Sequence, residues 1–338
     1  MWFRCFIVVY LLSSSVASKV RGEDNPHHVD RDETTLADDP PVNDFFYPLQ
    51  ALYFEAINIP EAWRLLAKVK RKRVAVAVID TGVEAKHPDL LRNLIEGYNV
   101  VTKNNDTDDQ NGHGTHMVGV LGATINNLVG IAGVTDLVNI MPISLVTPTG
   151  ENEIASFDYV IRHRQEKDIK IILFALSRDT LVPGLADKII RANKAGILVI
   201  VTAGNKGKDI TKDKTYPCAL TQKLTGMMCV AGTLQFENQL GRFSNFADYV
   251  DIAAPGDDIM TTGLEASYEF FTGTSPAASI VAGLAAMLYS VDPNLSPTAV
   301  KKIIEDTSQK GVKGSTRKST FAFGRVDAGK ALASLIPA

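Results

Sequence analysis

From residue 44 onwards, short apolar runs alternate with longer segments whose apolar residues recur at helical spacing. Six runs have the length and apolar character of buried parallel strands: residues 73–80, 138–146, 169–176, 197–204, 226–233 and 250–256. Five segments have a helical period: residues 114–125, 153–167, 184–196, 275–291 and 296–308. This alternation predicts one α/β domain in which helices cover both faces of a mostly parallel sheet.

The first 43 residues lack this pattern. Residues 1–18 carry one positive charge and a short apolar run that ends in small residues, which is typical of a secretory signal peptide. Residues 19–43 are rich in charge and proline and poor in large apolar side chains, so we expect a flexible leader. We therefore expect a secreted protein, or one within the secretory pathway, without stable membrane insertion. An uncleaved N-terminal anchor is the alternative.

Composition narrows the class of partner. The chain has 338 residues, of which 45% are hydrophobic and 22% charged, enough to bury a large core. A formal net charge of -3 argues against nucleic acid as a partner, because phosphate binding requires clustered Lys and Arg. The one basic run, at residues 68–73, is interpreted as the solvated approach to a strand, with a protease processing site as the alternative.

Three cysteines are present. Cys5 would leave with the signal peptide, so the mature chain keeps Cys218 and Cys229. In an oxidising compartment this pair could close a loop of about a dozen residues with a disulfide worth about 3 kcal/mol. Two buried thiols are the alternative.

Four polar residues lie where strands end or helices begin. Asp80 ends the first strand, Asn205 follows the fourth, His113 lies between two glycines at a helix start, and Ser275 precedes the long small-residue helix. Asp80 and Asn205 could be simple turn residues. The chain order Asp, His, Asn, Ser instead favours a serine nucleophile with a base, an orienting carboxylate and an oxyanion donor. His116 is interpreted as a packed core histidine.

Four segments carry a family resemblance: "VAVIDTGVEAKHPDL", "NGHGTHMVGVLGATINNLVGIAGV", "VIVTAGNKG" and "FTGTSPAASIVAGLAAML". In sequence and order they resemble the signature blocks of the subtilisin-like serine proteases, or subtilases (peptidase S8). The resemblance implies a subtilisin-like α/β fold with a mostly parallel seven-stranded sheet, helices on both faces, and a catalytic domain at 44–338. It also implies a monomeric endopeptidase that hydrolyses peptide bonds in protein or peptide substrates.

The resemblance gives each candidate residue a role. Ser275 would attack the scissile carbonyl, and His113 would accept its proton and return it to the leaving amine. Asp80 would orient the imidazole. The side-chain amide of Asn205 and the backbone N–H of Ser275 would stabilise the oxyanion.

The resemblance also implies two binding sites. Substrate would pair with the segment Ala175, Leu176 and Ser177, with Thr215 near the base of the S1 pocket, which takes the side chain preceding the cleaved bond. A structural calcium ion (Ca2+) would be held by oxygen ligands. Its ligands would be the side chains of Asp44, Asp89 and Asn127 and the carbonyls of Thr124, Val129 and Ile131. Ordinary turn residues are the alternative for this set.

Several positions depart from the family pattern. Pro276, Ser279 and Ile280 replace the usual Met, Pro and His after the serine, although proline is tolerated in a first helical turn. Ser177 stands where the family usually has glycine, so we expect a narrowed or altered S1 pocket. Only about 25 residues separate the signal from Asp44, where the family usually has a propeptide the size of a small domain. Residues 19–43 are then a flexible leader or a remnant propeptide, unless the gene model is truncated.

These departures keep other hypotheses open. The main alternative is a catalytically weak homologue that acts as a binding or decoy protein. A lipase or esterase is a more distant alternative, because Ala277 occupies the second glycine position of its Gly-x-Ser-x-Gly motif.

Overall fold

A computed structural model describes residues 42–336. The predicted signal peptide, nearly all of the predicted leader and Cys5 lie outside the described residues. The strands are β1 (Val74–Asp80), β2 (Tyr98–Asn99), β3 (Val138–Ser144), β4 (Ile169–Phe174), β5 (Leu198–Thr202), β6 (Met227–Thr233), β7 (Ile252–Pro255), β8 (Ile259–Thr262), β9 (Tyr268–Phe271) and β10 (Gly324–Arg325). The α-helices are α1 (Tyr47–Ala56), α2 (Ile59–Leu66), α3 (His113–Gly122), α4 (Gly150–His163), α5 (Leu185–Lys194), α6 (Thr274–Val291), α7 (Pro297–Thr307) and α8 (Ala328–Ala333).

Eight strands form one sheet in the order β10-β7-β6-β5-β4-β1-β3-β2, and every neighbouring pair is parallel. All six predicted strands are confirmed. The sheet has eight strands where seven were expected, because the two-residue strands β2 and β10 extend it at both edges. Strands β8 and β9 form a separate antiparallel hairpin that was not predicted.

The two faces of the sheet bury two separate cores. In β1, Val76 and Val78 pack into one core, and Ala77 and Ile79 pack into the other. Helices α3 and α6 cover the first face, and α4 and α5 cover the second. The continuous apolar runs in the sequence follow from this, because a strand buried on both faces has no solvent side. The predicted α/β class with helices on both faces is confirmed.

The predicted helices are present with small shifts at their ends. Helix α4 begins at Gly150, three residues before the predicted start, because the side chain of Thr149 accepts a hydrogen bond from the N–H of Asn152 and caps it. Helix α6 runs through the middle of the molecule. Among the described residues it alone has the length and hydropathy of a membrane span, but 94% of it is buried inside the protein.

Two further features match the sequence analysis. A disulfide joins Cys218 to Cys229 and thereby links a short 3-10 helix to β6. The basic run at 68–73 leads into β1, where Arg71 forms a bidentate pair with Asp136 and Arg73 donates to the carbonyl of Val138. These anchored arginines favour the strand-approach interpretation over a processing site.

Candidate active site

The carboxyl end of β1 and the start of α3 bring Asp80 and His113 together. Asp80 is 1% exposed, and its Oδ1 lies 2.7 Å from Nδ1 of His113. The N–H of Thr81 also donates to Oδ1 at 2.7 Å, which fixes the carboxylate. Because α3 begins at His113, the imidazole projects from a helix end over the rim of the sheet.

Four effects set the pKa of His113. Burial alone would lower it, but the charge of Asp80 and its hydrogen bond raise it, with a smaller contribution from Asp109. The net result is a pKa above the ordinary histidine value. Asp80 therefore favours the protonated imidazole, which is the form that a general base reaches after it has taken a proton.

Ser275 lies in the first turn of α6, and its side chain is buried. Its Oγ donates to the backbone carbonyl of Ala175 at 3.1 Å. Among the described residues, no hydrogen bond joins this hydroxyl to His113. The structure thus brings the predicted nucleophile against the predicted substrate segment.

The residues that depart from the family pattern fit the helix. Pro276 lies in the first turn of α6, where a backbone N–H has no intrahelical partner to lose. The hydroxyl of Ser279 lies 3.2 Å from the carbonyl of Ser275, one turn earlier. Ile280 is fully buried in the core. None of the three departures breaks the helix that carries Ser275.

Asn205 follows β5 and is held by the residue before the serine. Its Oδ1 accepts hydrogen bonds from both the N–H and the hydroxyl of Thr274, each at 2.8 Å. The opposite end of the amide, Nδ2, is 3.0 Å from where a Cβ on Gly273 would lie, so a side chain there would crowd it. This arrangement leaves an N–H donor beside the start of α6.

Thr274 is a residue of the candidate site that sequence reasoning missed. Besides its two contacts with Asn205, its hydroxyl accepts from the N–H of Gly204 at 3.1 Å. A hydroxyl directly before the candidate nucleophile was the available signal. It could not identify the partner, because Asn205 lies 69 positions away in the sequence.

The predicted S1 residues converge on Gly204. A Cβ at this glycine would lie 3.1 Å from Oγ of Ser177 and 3.4 Å from Cγ2 of Thr215, and its φ of +97° favours glycine. The side chain of Ser177 therefore fills space between the segments that follow β4 and β5.

A second histidine stabilises the wall beside His113. His116 is buried, and its Nε2 lies 2.7 Å from Oε1 of Glu269 in β9. Phe271 of the same strand packs against both imidazoles, with ring centroids 4.8 Å from His116 and 5.6 Å from His113. His116 is thus a hydrogen-bonded packing residue, as predicted from its sequence context.

The candidate calcium ligands also meet. The carboxylate of Asp44 accepts from the N–H groups of Asn126 and Asn127, and that of Asp89 accepts from Nδ2 of Asn127 and the N–H of Ile131. The other two candidates lie on the same loop, where the N–H of Thr124 donates to the carbonyl of Asp89 and that of Val129 donates to Oδ1 of Asn127.

The chemistry of this site fits a hard cation. Burial raises the pKa of Asp89 to about 7 and also raises that of Asp44, which is the result expected where two carboxylates share a site without a nearby positive charge. The described residues contain no cluster of three or more His, Cys, Asp or Glu side chains able to hold a metal. A cation here would therefore depend on two carboxylates together with amide and carbonyl oxygens, a donor set that suits calcium.

Several known proteins are similar to this chain. Residues 71–325 match the model of the subtilase family of peptidases. The chain is 34% identical over 248 residues to the major intracellular serine protease of Bacillus subtilis (strain 168), covering 70% of this chain and 74% of that protein. It is 30% identical over 290 residues to thermitase of Thermoactinomyces vulgaris, covering 86% and 98%. A solved protease of Pseudoalteromonas arctica PAMC 21717 superimposes with a TM-score of 0.75 at 23% identity, covering 88% of this chain and 100% of that one.

Proposed function

Because the chain belongs to the subtilase family of serine-type endopeptidases, we propose that it cleaves peptide bonds with Ser275 as nucleophile, His113 as base and Asp80 as the orienting carboxylate. The observation that carries this proposal is the 2.7 Å contact between Asp80 Oδ1 and His113 Nδ1. A hydrogen bond from Nδ1 to the carboxylate leaves Nε2 as the nitrogen that can accept a proton.

The reaction then proceeds in two halves. Ser275 Oγ leaves the carbonyl of Ala175, gives its proton to His113 and attacks the peptide carbonyl carbon. The imidazolium, stabilised by Asp80, returns the proton to the leaving amine and an acyl-enzyme remains. Water then repeats the sequence on the ester, which releases the acid and restores the serine.

The negative charge that develops on the carbonyl oxygen needs fixed donors. We assign this role to Nδ2 of Asn205 and the backbone N–H of Ser275, each donor of this kind being worth about 3 kcal/mol. Thr274 supports the assignment, because its two hydrogen bonds to Oδ1 determine which end of the Asn205 amide is available.

A fluorophosphonate probe tests the nucleophile directly. The probe should label the pure protein once, and Ser275→Ala should abolish labelling, whereas the exposed Ser319→Ala should not change it. A folded protein that stays unlabelled under conditions that label a known subtilase would refute the protease proposal. The decoy hypothesis would then be preferred.

We also propose that calcium binds the set formed by Asp44, Asp89 and Asn127 with the loop carbonyls, and that it stabilises the fold without taking part in the reaction. Its charge would hold the two buried carboxylates in their ionised form.

Calcium at about 100 times its Kd should add about 2.7 kcal/mol to the free energy of unfolding. Thermal unfolding with calcium and with a chelator measures this, and Asp89→Asn should remove the difference while the exposed Asp106→Asn should keep it. Equal stability of the wild type in both conditions would contradict the proposal.

We further propose that the enzyme is secreted or acts in the secretory pathway. The disulfide between Cys218 and Cys229 supports this, because such bonds persist in oxidising compartments. Expression of the full chain in secreting cells, followed by N-terminal sequencing, tests the proposal. The expected product begins at Lys19, and retention of the whole chain inside the cell would contradict it.

A further inference from the structure

Asp80 holds the imidazole of His113 through a single oxygen. Its Oδ1 lies 2.7 Å from Nδ1, whereas Oδ2 is buried and has no hydrogen-bond partner among the described residues. One hydrogen bond fixes the position of Nδ1 but only weakly limits the tilt of the ring, because the last side-chain torsion of histidine has broad minima. A base has to bring its other nitrogen within about 3 Å of the group whose proton it takes. A further contact is therefore needed to set the plane of the ring.

The phenyl ring of Phe271 in β9 supplies such a contact. Its centroid lies 5.6 Å from that of His113 and the two planes meet at 74°, which is an edge-to-face arrangement. The same phenyl ring lies 4.8 Å from the imidazole of His116, tilted by 37°. Only 20% of the His113 side chain is exposed. A shift of Phe271 would thus change both the tilt of the His113 imidazole and the access of water to it.

Glu269 connects the strand that carries Phe271 to the helix that carries His113. Oε1 of Glu269 lies 2.7 Å from Nε2 of His116, and within residues 42–336 this is the only hydrogen bond between β9 and α3. Glu269 and Phe271 are two positions apart on a strand, so their side chains project from the same face. His113 and His116 are three positions apart on a helix and also share a face. The four side chains therefore form one cluster, in which the hydrogen bond lies beside the ring contacts.

The protonation of this pair follows from its surroundings. The hydrogen bond with His116 lowers the pKa of Glu269, so the carboxylate is ionised and accepts from Nε2–H. Nδ1 of His116 is buried without a partner in the part of the chain that the structure describes, so the neutral tautomer protonated at Nε2 leaves no N–H unpaired. A hydrogen bond to an ionised acceptor is stronger than one between neutral groups.

The other strand of the hairpin is attached to α3 independently of Glu269. The hydroxyl of Thr261 donates to the carbonyl of His116 at 2.6 Å, and that of Thr262 donates to the carbonyl of Thr115 at 2.8 Å. Loss of the Glu269 carboxylate would therefore loosen β9 while β8 stays bound to the helix. Substitution at Glu269, whose side chain is 43% exposed, should leave the fold intact.

We propose that Glu269 is a positioning residue of the candidate active site. Its hydrogen bond to His116 holds β9 against α3, which keeps Phe271 packed on the imidazole of His113. Glu269 itself contacts none of the reacting groups. The effect on the rate rests on the proposed protease function, in which His113 is the base, whereas the effect on the hydrogen bond between His113 and Asp80 does not.

Proton NMR of the inactive Ser275→Ala protein tests the structural effect. The proton on Nδ1 of His113 is assigned by its loss in Asp80→Asn. In Glu269→Ala it should exchange with water about tenfold faster, because the imidazole is less confined and more exposed. Glu269→Gln keeps an acceptor for Nε2–H and should stay within about twofold of the parent. Glu265→Ala, an exposed change in the turn of the same hairpin, should not alter the rate.

Steady-state kinetics of the active chain test the effect on the rate. Glu269→Ala should lower kcat about fivefold and change KM by less than about twofold, because alignment of the base matters most in the transition state. Glu269→Gln should recover most of the loss. His116→Phe removes the hydrogen bond and keeps an aromatic ring beside Phe271, so adding Glu269→Ala to it should cost no further activity.

Several results would overturn the proposal. Equal exchange rates in the parent and Glu269→Ala would do so, as would a loss confined to KM or full additivity with His116→Phe. If His116→Phe does not fold, recovery by Glu269→Gln decides the question, and a Gln variant as slow as the Ala variant would count against the hydrogen bond. A wild-type chain that cleaves no peptide would refute the protease function, and the exchange rates would still decide the role of Glu269.

Discussion

The end of β1 and the start of α3 bring Asp80 and His113 together, and the contact between their side chains determines how readily the imidazole binds a proton. The carboxylate raises the pKa of the imidazole. His113 accepts a proton only in its neutral form, so kcat/KM should rise as pH increases through this pKa and level off above it.

Asp80→Asn should change this profile in two ways. Loss of the negative charge lowers the pKa of His113, so the rising limb should move to lower pH. The plateau should fall by about 10⁴-fold, because an amide no longer holds the correct tautomer. A pH series of kcat/KM measures both effects, with the exposed Asp108→Asn as the matched control. A limb that stays in place or moves to higher pH would contradict the assigned role of Asp80.

Thr274→Val should loosen Asn205 while it preserves size. The amide would lose one of the two donors that hold its Oδ1, and kcat should fall about tenfold with a smaller change in KM, since the support acts on the transition state. Steady-state kinetics check this. Thr272→Val, two positions earlier and exposed, should leave kcat within about twofold, and equal losses in both variants would point to a general disturbance of the turn.

At the scale of elements, hydrophobic periodicity predicted the central strands of the sheet but missed peripheral elements such as α1 and the β8–β9 hairpin. The six central strands read as continuous apolar runs, because both of their faces are buried. Helix α1 was missed because its pattern is inverted: Leu49 and Leu52 are exposed, and Gln50 is buried, where its amide pairs with the backbone of Ala132.

In the candidate site too, local motifs identified single residues but not the contacts between distant ones. Motif order identified Asp80, His113, Asn205 and Ser275 as candidates, because each lies at the end of an element that the pattern also predicts. The contacts between Thr274 and Asn205 and between His116 and Glu269 join residues 69 and 153 positions apart. Local pattern carries no information about such pairs, since only the packed sheet brings them together.

The disulfide gives a prediction at this scale. Cys218 and Cys229 are 11 positions apart and tie the 3-10 helix to β6. Replacing both with Ser should lower the free energy of unfolding by about 3 kcal/mol through the regained freedom of the unfolded loop. Denaturant unfolding measures the loss. A reducing agent should produce a similar loss in the wild type and none in the variant.

At the scale of the whole molecule, α6 is the element on which the rest packs. It contacts β1 and β4 through β7, and small residues let it pass close to its neighbours. At Gly283 an added Cβ would lie 2.6 Å from the side chain of Val134. The same helix holds Ser275 at its first turn, so its packing and the placement of the nucleophile depend on each other.

Gly283→Ala should therefore destabilise the fold by about 1–2 kcal/mol, although alanine is the better helix former. Adding Val134→Ala should recover part of the loss by making room. Thermal unfolding of the two variants decides this, and a single variant more stable than the wild type would contradict the packing argument.

The position of α6 late in the chain also sets when the proposed activity can arise during synthesis. A ribosome-bound chain that ends before residue 274 has Asp80, His113 and Asn205, yet it lacks both the nucleophile and the helix around which five strands assemble. The proposed nucleophile and the central helix of the core are therefore synthesised together. We therefore expect no proteolytic activity until synthesis has passed residue 274, about four fifths of the way along the 338 residues.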